Sequence, residues 1–201
     1  MKVAIIDYNA GNLLSVTNAL TFLNIEHSVT NEKYEIEHAD AIIFPGVGAF
    51  GNAMNNLRTL DLCKILRKQA QKKPFLGICL GMQLLFEKGY EFGEFDGLGL
   101  ISGVVKKIDF TGQKIPHMGW NNINITRKSS IIDNSYENKY FYFVHSYKAV
   151  TADENIIAYS QYSERIPAVV SDGKFVFGMQ FHPEKSGEIG LSLLQKFIKL
   201  I

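Results

Sequence analysis

The chain contains 201 residues with a mass of 22.6 kDa, a size that suits one domain. Its 21 Lys and Arg residues nearly balance 20 Asp and Glu residues, and the net charge of +1 excludes a strong field for nucleic acid or an acidic membrane. A hydrophobic fraction of 46% excludes a wholly disordered chain, and no apolar stretch approaches the roughly 18 residues that span a bilayer. The first apolar run is too short for a signal peptide, and the two cysteines make no disulfide framework. We therefore expect a soluble, cytoplasmic protein.

The first half of the chain alternates between short apolar runs and helical periodicity. The apolar runs predict four strands, at 2–7, 26–30, 41–44 and 74–79. Apolar residues at helical spacing predict helices at 12–23, 60–72 and 80–87. Asn12 is the predicted N-cap of the first helix. Strands that alternate with helices indicate a mainly parallel central sheet with helices on both faces, a doubly wound α/β fold.

The second half, from about Gly103, is rich in β-branched and aromatic residues. This composition predicts strands at 104–108, 122–126, 140–150, 156–162, 168–170 and 175–181. Asp172-Gly173 predicts a hairpin turn before the last strand, and residues 187–201 predict a closing amphipathic helix. We expect these strands to be antiparallel and to extend the same sheet. No repeat or linker divides the chain, so we expect one domain over residues 1–201.

The sharpest motif is Gly77-Ile78-Cys79-Leu80-Gly81, which joins a predicted strand to a predicted helix. In a turn of the type G-x-nucleophile-x-G, the glycines permit a strained backbone that raises the central side chain above the sheet. The start of a helix also favours the thiolate form of a cysteine. The alternative is that Cys79 is a small buried hydrophobic residue, the commonest role of an isolated cysteine. Both glycines and the strand-turn-helix context favour a nucleophile, whereas Cys63 lacks such a setting.

A thiol nucleophile needs a base and a group that orients the base. His182 and Glu184 follow the last predicted strand, and residues two apart in an extended chain point the same way. The carboxylate of Glu184 would accept the imidazole N–H, fix the tautomer of His182 and stabilise its charged form. A His-x-Glu sequence is common by chance. Its combination with the cysteine turn is a much stronger signal than either motif.

Attack on a carbonyl carbon builds negative charge on the oxygen, which requires hydrogen-bond donors. The amide of Leu80 is one candidate, and the loop Pro45-Gly46-Val47-Gly48 leaves the carboxyl end of a neighbouring strand. The segment 46–51 also matches the dinucleotide pattern G-x-G-x-x-G. A dinucleotide site would follow the first strand and would have an acidic residue ending the next strand about twenty residues later. Because these glycines follow the third strand, we expect no nicotinamide cofactor.

The remaining histidines and the single tryptophan have weaker signals. The histidines show no spacing typical of metal ligands, so no metal is expected. His145 interrupts an aromatic strand, which fits a structural role at a sheet edge and a binding role equally well. Trp120 lies in the turn-like run 117–121, where core packing is the default expectation.

Together these motifs resemble the class I, triad-type glutamine amidotransferases over nearly the whole chain. The segments that carry the resemblance are PGVGAFG at 45–51, GICLGMQ at 77–83 and FHPEKS at 181–186. Within the family, the chain is most similar to the glutaminase subunits that work with a separate cyclase in histidine biosynthesis. This closer resemblance rests on the absence of a synthase domain and on DYNAGN at 7–12, HMGWN at 117–121 and FVHSY at 143–147.

The resemblance implies a thioester mechanism that needs no cofactor. Cys79 would attack the side-chain amide of glutamine, His182 would protonate the departing ammonia, and Glu184 would orient His182. Water would then hydrolyse the glutamyl thioester to glutamate. By family position, the residues that hold the substrate or its oxyanion are Val47, Gly48, Leu80, Gln83, Ser146 and Tyr147.

The resemblance also implies a protein partner. The ammonia would pass, within a heterodimer, to a (β/α)8 cyclase subunit that makes imidazole glycerol phosphate. The glutaminase would be nearly silent until the partner and its ligand arrive, with reorientation of the loop 45–48 as the implied cause. Asn12, Trp120 and Lys185 match positions near that interface.

Three other functions stay open on the sequence. The same chemistry could supply ammonia to a different synthase, such as a sugar or nucleotide amidating enzyme, because the triad does not identify the acceptor. A stand-alone cysteine hydrolase would turn over another substrate without a partner. A catalytically inactive binding subunit is disfavoured by the intact Cys79, His182 and Glu184. We expect the histidine pathway.

Overall fold

The computed structural model describes residues 1–109 and 112–201, and its centre is an eight-stranded sheet with helices on both faces. The strands in the described residues are β1 (Lys2–Ile6), β2 (Glu26–Thr30), β3 (Ala41–Gly46), β4 (Phe75–Cys79), β5 (Phe86–Gly89), β6 (Phe95–Asp96), β7 (Ile101–Lys107), β8 (His117–Asn122), β9 (Asn124–Ile125), β10 (Tyr140–His145), β11 (Tyr147–Val150), β12 (Ile156–Gln161), β13 (Arg165–Ser171) and β14 (Val176–Met179). The α-helices are α1 (Leu13–Phe22), α2 (Lys33–His38), α3 (Phe50–Thr59), α4 (Cys63–Ala70), α5 (Leu80–Gln83) and α6 (Gly187–Ile198). Short 3-10 turns lie at Asn134–Tyr136, Asp153–Asn155 and Pro183–Lys185.

The predicted α/β fold with a mainly parallel central sheet is confirmed. The strand order is β2-β1-β3-β4-β14-β13-β12-β9, and the first five strands are parallel to one another. Alternate side chains of β1 enter opposite faces of the sheet. Val3 and Ile5 pack with α1 and α6, whereas Ala4 and Ile6 pack with α2, α3 and α4. Both faces of the parallel strands are therefore covered, as such a sheet requires.

The second half of the chain extends this sheet only in part. The strands β9, β12, β13 and β14 do so, and Asp172-Gly173 lies in the predicted turn between the last two, with Gly173 at a φ of +81°. The predicted strand 140–150 divides at Ser146 instead. Before it, β10 pairs with β8 in a two-stranded sheet; after it, β11 joins β7, β5 and β6 in a four-stranded sheet. The expectation of a single sheet is wrong for these strands, because the chain changes sheets at Ser146.

The predicted helix at 80–87 is too long. It ends at Gln83, and the strand β5 begins at Phe86. Leu84, Leu85 and Phe86 are all fully buried, so the run is apolar on every side and its periodicity could not mark the end of the helix.

Other differences concern elements with weak patterns. The sequence pattern does not predict α2, whose one fully buried side chain is Ile36, or α3, which begins inside the glycine-rich segment. The predicted helix 60–72 is the shorter α4, and the turn-like run 117–121 is strand β8. Asn12 occupies the predicted N-cap of α1, but its side chain makes no capping hydrogen bond. None of the described helices is long and apolar enough to cross a membrane.

Strand register brings three segments to the same edge of the central sheet. Gly46 of β3 lies opposite Cys79 of β4, so the loop after β3 lies beside the turn after β4. On the other side of β4, Met179 of β14 lies opposite Ile78, so residues 180–184 leave the sheet at the same edge. The carboxyl edge of these parallel strands is the usual position for a site in such a fold.

Candidate active site

Cys79 lies at the turn from β4 into α5, in a backbone conformation that side-chain-bearing residues rarely adopt. Its φ is +54° and its ψ is −111°, a strained conformation that typically costs about 1–3 kcal/mol. The residue is 6% exposed, and its Sγ atom lies 3.9 Å from the carbonyl oxygen of Val144 and 3.9 Å from Nε2 of Gln180. The strained turn therefore holds the thiol at the edge of the sheet, as the glycine motif predicts.

The two glycines of this turn are required by close backbone packing. A Cβ atom on Gly81 would lie 1.8 Å from the carbonyl oxygen of Phe44, and a Cβ atom on Gly77 would lie 2.7 Å from the carbonyl oxygen of Gly81. Contacts this short cannot be relieved by a flexible side chain, since the opposing atoms belong to the backbone. The turn after β4 is thus in direct contact with the end of β3.

His182 and Glu184 form a buried pair. Nδ1 of His182 lies 2.7 Å from Oε1 of Glu184, and the two side chains are 2% and 1% exposed. Because a carboxylate accepts, Nδ1 carries the proton, and Nε2 has no hydrogen-bond partner among the described residues. Burial opposes the charged imidazolium, but the neighbouring Cys79 and Glu184 outweigh burial and raise the pKa of His182.

The backbone of His182 is attached to the neighbouring strand β10. Its amide donates to the carbonyl oxygen of Tyr142 at 2.9 Å, and its carbonyl oxygen accepts from Oγ of Ser186 at 2.6 Å. The same Oγ accepts from the amide of Tyr142 at 3.0 Å. The position of the base therefore depends on β10 as well as on β14.

One cavity of about 310 Å³ brings the predicted catalytic and substrate-binding residues together, and its size is typical of a small-molecule site. Its lining residues are Val47, Gly48, Cys79, Leu80, Gln83, Glu91, Val144, His145, Ser146, Tyr147 and His182. Glu184 contacts the far side of the His182 ring, away from this lining. Three predicted residues, Asn12, Trp120 and Lys185, do not line the cavity.

A polar network forms part of the cavity wall. Nε2 of Gln83 donates to the carbonyl oxygen of Tyr147 and to Oε1 of Gln180, each at 3.0 Å. Both donors of Gln83 are therefore used, and its Oε1 remains as an acceptor for a ligand. Gln180 also approaches Sγ of Cys79, so the network reaches the thiol. No sequence pattern marks Gln180 as a site residue, because it continues the apolar strand β14.

Glu91 is a second cavity residue that no sequence pattern marks. It follows β5, and its Oε2 accepts a hydrogen bond from the amide of Phe50 at 2.7 Å. This contact anchors a carboxylate in the cavity wall, where it suits a ligand with an ammonium group. No motif surrounds Glu91, so its role becomes visible only when β5 is seen to pass the site.

The loop 45–48 is fixed at its start and open at its tip. The fully buried hydroxyl of Tyr8 donates to the carbonyl oxygen of Pro45 at 2.8 Å, and burial together with the nearby Cys79 strongly raises the pKa of Tyr8. At the tip, Val47 is 43% exposed. Gly48 has a φ of +101°, and no atom lies within 4 Å of where its Cβ would be. The tip of the loop, at Val47 and Gly48, is therefore less constrained by packing than its start.

An exposed aromatic surface lies beside the site on β8 and β10, and we call it the β8–β10 face. Its members are Met118, Trp120, Tyr140 and Tyr142. Met118, Trp120 and Tyr140 are 60%, 55% and 58% exposed, so the expectation of core packing for Trp120 is wrong. The physical reason is the alternation of β8, which directs His117 inward and Trp120 outward.

The other two predicted interface residues lie in or near the turn Pro183–Lys185. Lys185 is exposed in the turn Pro183–Lys185, which packs against α1 and β10. Asn12 precedes α1. The ring centroid of Trp120 lies 6.2 Å from that of Tyr142, the residue that holds His182 through its backbone.

Comparison with known proteins gives a consistent result along the whole chain. Residues 4–200 match the family described as Glutamine amidotransferase class-I. The chain is 51% identical over 202 residues to imidazole glycerol phosphate synthase subunit HisH of Oceanobacillus iheyensis, with 99% of each chain covered. It is 50% identical over 202 residues to the subunit of the same name from Lactococcus lactis, with 100% of this chain and 99% of that one covered.

Solved structures share the fold at much lower identity. PurLQS from Thermotoga maritima aligns with a TM-score of 0.76 at 21% identity, covering 98% of this chain and 97% of that one. A second structure, described as a glutamine amidotransferase, aligns with a TM-score of 0.77 at 19% identity over 98% of this chain and 97% of that one. At these identities the likeness supports the fold alone.

Proposed function

The chain belongs to the class I glutamine amidotransferases, and we propose that it is the glutaminase subunit of imidazole glycerol phosphate synthase. It hydrolyses glutamine to glutamate and passes the ammonia to a cyclase subunit in histidine biosynthesis. The observation that carries the proposal is full-length identity of 51% to a subunit of that name, in a chain whose own cavity holds Cys79 and His182.

Cys79 is the proposed nucleophile and His182 the proposed base. Because the pKa of His182 is raised, its Nε2 can hold the proton of the thiol and leave a thiolate on Cys79. The sulfur attacks the carboxamide carbon of glutamine, and the carbonyl π electrons move to the oxygen. The proposed donors to this oxyanion are the amides of Val47 and Leu80, which both line the cavity.

The tetrahedral adduct then divides into ammonia and a thioester. His182 gives its proton to the leaving nitrogen, the C–N bond breaks, and a glutamyl thioester remains on Cys79. A water molecule loses a proton to Nε2 of His182 and attacks the thioester carbon. The C–S bond breaks, glutamate leaves, and the thiol is restored. Glu184 holds the imidazole in the orientation that both steps need.

Two polar groups of the cavity wall suit the α-amino end of glutamine. We assign the α-ammonium group to the carboxylate of Glu91 and to Oε1 of Gln83. Gly48, Ser146 and Tyr147 form the remaining wall around the substrate. Gly48 suits this position because an open backbone lets a ligand approach closely.

We propose the β8–β10 face, together with Asn12 before α1 and with Lys185, as the surface that binds the cyclase in a heterodimer. Clustered exposed aromatic and Met side chains are typical of protein interfaces. We further propose that residues 1–201 act as one domain, since β4 and β14 from distant parts of the chain are neighbours in the central sheet. A free catalytic thiol needs reducing surroundings, which favours the cytoplasm.

The test is glutamate release from glutamine by the purified chain, alone and with the imidazole glycerol phosphate cyclase and its ribonucleotide substrate. We expect strong stimulation by that pair. The Cys79→Ala variant should release no glutamate, while the complex containing it should still use free ammonia, because that route bypasses the thiol.

The outcomes separate the function from its assignment to a pathway. If the rate of glutamate release does not change when the cyclase is added, the chain is still a glutaminase, but it supplies ammonia to a different synthase. No release under any condition, or full release by Cys79→Ala, would refute the glutaminase itself. A matched control is Cys63→Ala, which removes the other free thiol, located on α4.

A further inference from the structure

Two buried histidines next to the cavity have no part in the proposed mechanism. His117 lies on β8 and His145 on β10, directly opposite each other in the strand register. They are 1% and 6% exposed, and Nδ1 of His117 lies 3.0 Å from Nε2 of His145. His145 also lines the cavity, and its strand β10 forms one edge of a two-stranded sheet, so its position fits both roles that the sequence leaves open.

The partners of this pair fix the direction of every hydrogen bond. Nδ1 of His145 lies 2.8 Å from the carbonyl oxygen of Tyr147, which only accepts, so this nitrogen carries the proton. Nε2 of His145 then accepts from Nδ1 of His117. Nε2 of His117 is left to accept from Nδ2 of Asn121, which lies 3.3 Å away. The amide of Asn122 donates to Oδ1 of Asn121 at 2.9 Å, so the orientation of the Asn121 side chain agrees with this direction.

The three hydrogen bonds from Asn121 to His117, from His117 to His145 and from His145 to Tyr147 form a chain of donors. They exist together only while both imidazoles are neutral. A second proton on either ring would set two N–H groups against each other. Burial keeps both rings neutral, lowering the pKa of His117 to about 4 and, with the added effect of His117, the pKa of His145 to about 3. The ring of His117 is further fixed between Phe143 and Tyr162, whose ring centroids lie 4.6 and 4.1 Å away.

The chain of donors ends at a group that the cavity uses. The carbonyl oxygen of Tyr147 accepts from His145 and also from Gln83, so it orients the Gln83 side chain. Gln83 in turn orients Gln180 beside the thiol. At its other end the chain of donors begins at Asn121, next to Trp120 of the β8–β10 face.

We propose that His117 is a positioning residue for glutamine: through His145 it fixes the carbonyl group of Tyr147, and thereby the Gln83 acceptor that holds the substrate. The proposal rests on the proposed glutaminase function and adds a role for a residue that touches neither the substrate nor Cys79. The exposed strand β8 and the substrate pocket are thus joined by directed hydrogen bonds rather than by packing alone.

Two substitutions of His117 distinguish the effect of losing its hydrogen bond to His145 from the effect of changing the size of its side chain. His117→Phe keeps an aromatic ring between Phe143 and Tyr162 but removes the donor to His145. His117→Asn restores a donor near the position of Nδ1. A matched control is His27→Phe, which removes a half-buried histidine from β2 at the far edge of the sheet.

The probe is a diazoketone analogue of glutamine that alkylates the thiol, used on the full chain without a partner. We expect His117→Phe to raise its half-saturating concentration about tenfold or more. We expect His117→Asn and His27→Phe to remain within about threefold of the unsubstituted chain. The rate of alkylation by iodoacetamide, which needs no substrate pocket, should change little in any of them.

Equal half-saturating concentrations of the diazoketone for His117→Phe and the unsubstituted chain would overturn the proposal. An equal rise in this concentration for His117→Phe and His117→Asn would overturn it as well. Nitrogen NMR of the unsubstituted chain is a second test that does not depend on a variant's folding. Both histidines should be neutral between pH 6 and 8 with the proton on Nδ1, and a proton on Nε2 of either ring would overturn the proposal. If the unsubstituted chain neither hydrolyses glutamine with the cyclase nor reacts with the diazoketone, the proposed function fails instead.

Discussion

Nδ1 of His182 and Oε1 of Glu184 lie 2.7 Å apart in surroundings that exclude water from both side chains. The second carboxylate oxygen of Glu184 has no hydrogen-bond partner among the described residues. A buried carboxylate with a single partner depends on that partner for most of its stabilisation. The two residues therefore behave as one unit, in which the negative charge of Glu184 retains the proton of His182.

This unit predicts a pH-dependent effect of Glu184→Gln. The pKa of His182 is raised above its ordinary value of 6.5, so its stabilisation of the fold is fully present below pH 6.5 and is lost as pH rises through the raised value. Gln carries no charge and removes part of this rise. Between about pH 6.5 and 9, the free energy of unfolding should therefore fall more steeply for the unsubstituted chain than for the variant, as urea denaturation can measure. Parallel curves would contradict the pairing.

Gly81→Ala should disrupt the nucleophile turn. The added Cβ would lie 1.8 Å from the carbonyl oxygen of Phe44, so the backbone of the turn must move. We expect a loss of about 1–3 kcal/mol in the free energy of unfolding and a much slower alkylation of Cys79 by iodoacetamide. Gly11→Ala is the matched control, because its Cβ would approach no atom closer than 3.6 Å. Normal alkylation in Gly81→Ala would show that the turn tolerates the methyl group.

The parallel half of the fold was predictable because its strands are short apolar runs, whereas its helices have apolar residues at helical spacing. Lys2–Ile6 and Glu26–Thr30 are bounded by polar or turn-forming residues, and the sequence locates both within a residue. The end of α5 could not be located, since Leu84–Phe86 are buried on every side and favour no period. The change of sheet at Ser146 is set by tertiary pairing with β7 and β8, which no local pattern records.

The site was predictable where chemistry imposes a local motif. The turn at Cys79 needs glycines on both sides, and Glu184 happens to follow His182 by two residues, so both motifs are visible in the sequence. Glu91, Gln180 and the inward role of His117 depend on which strands lie next to the cavity. The exposure of Trp120 was missed for the same reason, because the run HMGWNN of β8 is polar and contains glycine, and it resembles a turn when its pairing is unknown.

Tyr8→Phe should free the start of the loop 45–48 from its anchoring hydrogen bond. The hydroxyl of Tyr8 is the donor to the carbonyl oxygen of Pro45, in a fully buried position. Leaving that oxygen without its donor should cost about 1–3 kcal/mol in the free energy of unfolding. It should also lower kcat for glutamine hydrolysis with the cyclase more than it changes KM, because the loop carries the amide of Val47 that we propose as an oxyanion donor. Tyr136→Phe removes a buried hydroxyl that contacts Ser192, far from the loop, and should leave kcat unchanged.

Glu91→Gln should weaken glutamine binding. The substitution keeps the size of the side chain and an oxygen that can accept from the amide of Phe50, but it removes the charge that we propose binds the α-ammonium group. Hydrogen bonds to charged groups contribute about 1.5–3 kcal/mol, so KM for glutamine should rise roughly 10- to 100-fold with a smaller change in kcat. Glu94→Gln is the matched control, since Glu94 contacts Lys88 at the exposed surface. An unchanged KM in Glu91→Gln would assign the ammonium group to another acceptor.

Trp120→Ala should weaken the complex with the cyclase while leaving the isolated chain as stable as before. The ring is 55% exposed and its aromatic contact is with Tyr142, so its removal should change the free energy of unfolding by less than about 0.5 kcal/mol. Truncation of an aromatic anchor in an interface typically costs 2 kcal/mol or more, which corresponds to a rise in Kd of about 30-fold. Calorimetric titration of the cyclase into each variant measures this rise. Phe22→Ala removes a ring that is 73% exposed at the far end of α1, and it should not change Kd. If both variants bind the cyclase equally well, the partner contacts a different surface.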